Sequence, residues 1–104
     1  MIDDVQKHYV IEVHDDAKEM LLSHIRFVAN VSLPAARKLR TTLYNAIESL
    51  MTMPYRCPVF QTRRAIGVYR RLIIGRYQII FSINDIDSIV TIRYILDSRQ
   101  DNDI

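Results

Sequence analysis

The chain has 104 residues, 49% of them hydrophobic and 25% charged, with a net charge of +2, which is the length and composition of one packed globular domain spanning 1–104. No stretch approaches the roughly 18 apolar residues of a membrane span, and the start MIDDVQKHYVIEV lacks a run of signal-peptide length. Cys57 is the only cysteine, which excludes an internal disulfide, so the expected protein is cytoplasmic and needs no staple.

His8 to Val13, HYVIEV, predicts a short strand with Tyr9, Ile11 and Val13 on one face. Asp15 or Asp16 then offers an N-cap, and Ala17, Met20, Leu21, His24, Ile25 and Val28 follow at helical spacing. Ser32 caps a second helix with Pro34 in its first turn, where Ala36, Leu39, Leu43, Ala46, Ile47 and Leu50 recur at three and four until Pro54 ends it. The connection NVSL is short, so the helices are expected to form an antiparallel hairpin.

After the irregular stretch MPYRCPVFQTRRAIG the period changes to two. Three strands are expected, at Val68 to Ile74, Arg76 to Ile83 and Ser88 to Leu96, with Gly75 in the first turn and NDID in the second. Such short connections force an antiparallel meander. The fold class is therefore α+β, in the order β-α-α-β-β-β, with the helical hairpin on one face of an antiparallel sheet.

Strand alternation predicts Tyr77, Ile79, Phe81, Ile83, Val90, Ile92, Tyr94 and Leu96 on the core face. The other face is expected to carry Gln78, Ile80, Ser82, Thr91, Arg93 and Ile95, joined by Arg71 and Ile73 if Leu72 and Ile74 point inward. That mixture of isoleucine and arginine suits a docking surface.

Charge is distributed unevenly. Residues 1–52 hold six Lys/Arg and seven Asp/Glu, whereas residues 53–104 hold eight Arg and five Asp. Between Glu48 and Asp85 stand Arg56, Arg63, Arg64, Arg70, Arg71 and Arg76, with no acid and no Lys. A guanidinium grips a phosphate in two places where an ammonium is a point charge, so this window points to a phosphate-bearing partner.

The segments YRRLIIGRYQIIFSIND and SIVTIRYILDSRQD resemble the C-terminal half of RelE/ParE-type toxins of bacterial type II toxin–antitoxin modules. The shared features are a basic strand, a Gly-containing turn, a Tyr opening the next strand and a terminal Arg motif. The preceding strand and helical hairpin fit the same family, so the resemblance covers essentially the whole chain. It implies one of two activities: RelE-like members cut mRNA in the ribosomal A site, whereas ParE-like members inhibit DNA gyrase and cut nothing. It also implies neutralisation by a cognate acidic antitoxin protein.

On this resemblance Arg71 matches a basic residue of the ribonuclease members on the strand before the turn, and Arg99 matches the basic residue of the C-terminal motif. Gln78 stands where those members usually have Arg, and Asp97 stands where many have His. Cleavage without a metal needs an aligned 2′-hydroxyl, a base, a donor for the leaving oxygen and positive charge for the transition state. Arg71 and Arg99 supply charge, Asp97 is the only carboxylate near the C-terminal motif and serves either as base or, as the more ordinary role, to pair with a neighbouring Arg or end the strand, and Gln78 hydrogen-bonds a phosphate without charge; Arg is itself a poor base at neutral pH. These four are the candidate catalytic residues, with Arg63, Arg64, Arg70, Arg76 and Arg93 as candidate nucleic-acid or partner contacts.

No other constellation competes. His8, His14 and His24 are scattered without metal-ligand spacing, and two glycines, Gly67 and Gly75, cannot build a phosphate-cradling loop. No cofactor or metal is expected. The expected function is a toxin that cleaves mRNA on the ribosome through its Arg-rich sheet face. The alternatives are a non-enzymatic gyrase inhibitor and a toxin relative that only binds an antitoxin.

Overall fold

A computed structural model describes residues 7–61, 63 and 66–99. Strand β1 (Val10–Val13) leads into helix α1 (Asp15–Ala29), and helix α2 (Leu33–Glu48) returns beside it. Two 3₁₀ turns, Ser49–Met51 and Pro54–Arg56, precede a two-residue strand β2 (Val59–Phe60). The meander β3 (Tyr69–Ile74), β4 (Tyr77–Asn84) and β5 (Ile89–Asp97) completes a five-stranded sheet in the order β1-β5-β4-β3-β2.

The helices start for local reasons. Ser32 accepts from the N–H of Ala35, with Pro34 in the first turn where its missing N–H costs nothing. The cap of α1 is His14, whose Nδ1 accepts from the N–H of Asp16; it is not Asp15 or Asp16, which occupy the first turn and meet the positive end of the helix dipole there. Ala17, Leu21 and His24 of α1 and Ala36, Leu43, Ala46 and Ile47 of α2 are buried.

Two expectations about the sheet need correction. It is mixed and not purely antiparallel, because β1 crosses through the helical hairpin and pairs parallel to β5, with Val10 opposite Ile89 and Val13 opposite Ile92. Second, β4 and β5 do not stay in one register. Ile80 pairs with Tyr94 but Phe81 pairs with Ile92, which leaves Arg93 as the extra residue of a β-bulge.

The bulge reverses the end of β5. Val90 and Ile92 face the helices as expected, yet Tyr94 and Leu96 turn to the opposite face while Ile95 joins the main core. The inward set of β3 and β4, Leu72, Ile74, Tyr77, Ile79, Phe81 and Ile83, is as alternation predicts. Gly75 holds φ +57° at the first position of the two-residue β3–β4 turn, the place that a type II′ hairpin gives to glycine.

Candidate functional site

The sheet face away from the main core is built by alternate residues of four strands. Phe60, Tyr69, Arg71, Gln78, Ile80, Tyr94 and Leu96 meet there. Its centre is covered, contrary to the open face expected: Ile80 and Leu96 are fully buried, and Tyr94 and Gln78 are nearly so. Phe60 and Tyr69 pack against this second small core, while Ile73 remains exposed at its margin.

Arg71 and Gln78 are brought together here. The Nη1 of Arg71 donates to Oε1 of Gln78 at 3.2 Å, and its guanidinium lies 4.5 Å from the centre of the Phe60 ring. Among the described residues the Nε of Arg71 is buried without a hydrogen-bond partner.

Asp97 is on the other side of the sheet. It pairs with Tyr77 of the main core, is 1% exposed, and its Oδ2 sits 3.3 Å from Nε of Arg76. Its Oδ1 accepts the N–H of Arg99, whose side chain lies exposed just past the strand. The four candidate catalytic residues are thus divided into a pair on one face and an ion-paired carboxylate on the other, with Arg99 at the strand end.

The remaining arginines are largely engaged within the fold. Arg70 points to the helix side of the sheet, donates to the carbonyls of Cys57 and Tyr55 and lies over the Tyr55 ring at 4.8 Å. Arg76 holds Asp97 and donates to the Tyr77 hydroxyl. Arg93, at the bulge, reaches over the sheet edge to Nδ1 of His14 at 2.8 Å and to Asp16 at 3.4 Å. Arg56 closes the end of α2 by donating to the carbonyls of Ser49, Thr52 and Met53. Arg63 is exposed between β2 and β3, and Arg64 lies outside the described residues.

His24 is buried under α1, with Nε2 2.7 Å from the carbonyl oxygen of Ile95 and its ring against Tyr77. The donor of that contact is the imidazole N–H. Cys57 is buried, and burial pushes its thiol above the usual cysteine value, so it is a poor nucleophile. Among the described residues no group of His, Cys, Asp and Glu could hold a metal ion, and no helix is long and apolar enough to cross a membrane.

One exposed carboxylate gathers several donors. Asp85, in the β4–β5 turn, accepts from the hydroxyls of Tyr9 and Tyr55 and from Lys7. The Tyr55 hydrogen bond, then that of Tyr9, holds the Asp85 carboxyl below its ordinary value. The same bond pushes the Tyr55 phenol up to about 12. This cluster ties the N-terminal strand, the second 3₁₀ turn and the β4–β5 turn together.

Helix α2 presents a feature that the half-chain charge balance hides. From Leu33 to Ile47 it carries Arg37, Lys38 and Arg40 and no acid, and all three are exposed. Six of the seven acids of residues 1–52 lie outside the helix and the seventh, Glu48, is its last residue, eight positions beyond Arg40; counting charge along the helix exposes the patch.

A family model described as "ParE toxin of type II toxin-antitoxin system, parDE" matches residues 11–102. Among solved structures, the chain is similar to one in the RelBE2 toxin–antitoxin complex from Mycobacterium tuberculosis. The two are 22% identical with a TM-score of 0.64, over 91% of this chain and 97% of that one. It is also similar to a chain of the archaeal RelE–RelB complex from Pyrococcus horikoshii OT3, at 16% identity and a TM-score of 0.52, over 89% and 98% of the two chains. No match was found among curated protein sequences.

Proposed function

Since the chain belongs to the ParE toxin family of type II toxin–antitoxin systems, we propose that it is a toxin that blocks DNA gyrase by binding it and cuts no nucleic acid itself. One observation carries this reading: the candidate catalytic groups do not form a constellation. Arg71 and Gln78 share one face of the sheet, whereas Asp97, the carboxylate of the C-terminal motif, is buried on the other and paired with Arg76. A positioned base is worth about 10² to 10⁴ in rate, and a buried, ion-paired carboxylate across a sheet from Arg71 and Gln78 cannot act as one with them. Arginine, held protonated by a pKa above about 12, does not replace it.

The partner that neutralises the toxin is an antitoxin protein. Support comes from the two similar structures, both of which are complexes of a toxin with its antitoxin. An acidic antitoxin suits the net charge of +2.

The test runs two assays on one preparation. Cells induced for the chain have their mRNA 5′ ends mapped, and the purified protein is added to a gyrase supercoiling reaction. Uncut mRNA with blocked supercoiling is the expected result. Codon-phased cuts that disappear in Arg71→Ala and Arg99→Ala, with supercoiling unaffected, overturn the proposal in favour of ribosome-dependent cleavage.

A further inference from the structure

The arginines of the strands are held by carbonyls, carboxylates and rings of the protein itself, and the cations of α2 are not. Among the described residues Arg37, Lys38 and Arg40 form no ion pair, and the one contact made by their charged groups is the Arg40 guanidinium over the Tyr44 ring at 5.1 Å. Nothing in the helix calls for them. Its first turn has no acid, and the positions three and four residues away from each cation hold no carboxylate.

Their geometry suits an extended anion. Arg37, Arg40, Thr41 and Tyr44 fall at i, i+3, i+4 and i+7 and so share one exposed stripe, with Lys38 beside it. Arg40, Thr41, Tyr44 and Asn45 line a shallow cleft of about 360 Å³. At a rise of about 1.5 Å per residue the three cations lie within about 4.5 Å along the axis, so a single turn presents all of them to one partner. The hydroxyl of Thr41 and the amide of Asn45 are the polar groups that accompany Arg and Lys in contacts to a sugar–phosphate backbone.

We propose that the outer face of α2 binds the phosphate backbone of duplex DNA, with Arg37, Lys38 and Arg40 as the phosphate contacts and Thr41 and Asn45 as hydrogen-bonding neighbours. The choice of duplex DNA rests on the gyrase reading above, because gyrase works on a duplex and a toxin bound to both would engage the enzyme together with its substrate. The helix then grips DNA while the rest of the toxin remains available to the enzyme.

The experiment is an anisotropy titration of a fluorescein-labelled 20-base-pair duplex with the full chain across a series of salt concentrations. Three phosphate contacts give a log–log slope of about −2.7, at about 0.9 per contact. The triple variant Arg37→Ala, Lys38→Ala, Arg40→Ala keeps a strong helix former at each position. It is expected to bring the slope close to zero, while Lys18→Ala on α1 leaves it unchanged. Failure of the wild-type chain to bind, or an unaltered slope in the triple variant, overturns the proposal. Tighter binding to a single-stranded RNA of the same length overturns the choice of DNA. The two readings fail separately: inhibited gyrase without DNA binding removes only this inference, and DNA binding through α2 with active gyrase removes only the gyrase target.

Discussion

Asp97 and Gln78 show how burial decides what a residue can do. Asp97 is a carboxylate two residues from an exposed Arg99, yet it is 1% exposed and faces Arg76 across 3.3 Å. Asp97→Asn leaves the Arg76 charge without its closest carboxylate and is expected to cost about 2 kcal/mol, below the 3 to 5 of a fully buried pair because Arg76 is partly solvated. A urea melt measures this. Gln78 accepts from Arg71 in a nearly buried position. Gln78→Arg therefore sets two guanidinium groups side by side out of water, and a loss of about 3 kcal/mol is expected without any gain of mRNA cleavage. Cys57, buried with its thiol pushed up, should react with a thiol reagent only when urea unfolds the chain.

At the scale of elements, turns and caps carry local tests. Gly75 has φ +57° and no atom within 4 Å of where a Cβ would stand, so Gly75→Ala costs backbone conformation alone, about 1 kcal/mol by denaturant melt. Ser88 holds φ +56° without being glycine, and Ser88→Gly is expected to be neutral or slightly stabilising by the same measurement. Much of this level was legible in the sequence. Ser32, Pro34 and the spacing from Ala36 to Ile47 define α2 because cap chemistry and periodicity are local. The cap of α1 was missed because imidazole nitrogen can do what a carboxylate oxygen does, and His14 stands just before two acids. The parallel pairing of β1 with β5 depends on where a helical hairpin delivers the chain, and no residue in HYVIEV encodes that. The candidate site was legible only as charge. The count of arginines between Glu48 and Asp85 was correct, but a count does not say that Cys57, Asp97 and the carbonyls after α2 would occupy them.

For the whole molecule, the cluster on Asp85 links three distant segments and makes stability depend on pH at both extremes. The Asp85 carboxyl is held below its unfolded value, so its contribution is complete above the ordinary aspartate range near pH 4 and is lost as pH falls through the lower folded value. Tyr55 behaves oppositely. Its phenol is raised to about 12, so its contribution is complete below about pH 10 and is lost as pH rises through 12. Asp85→Asn should lower Tm through the middle of a plot of Tm against pH, where the carboxylate contributes in full, and flatten its acid limb. The bulge at Arg93 has a different kind of consequence, for which changes of chain length the molecule tolerates. In-frame loss of codon 93 lets Tyr94 follow Ile92 directly, and every later pairing partner, Ile95 with Ile79 and Leu96 with Gln78, is already the correct one. Loss of codon 95 instead moves Leu96 into the core position and Asp97 to the outer face. The first deletion is expected to fold, lacking the exposed ties of Arg93 to His14 and Asp16, and the second to fail, so two three-base deletions six bases apart should have opposite fates.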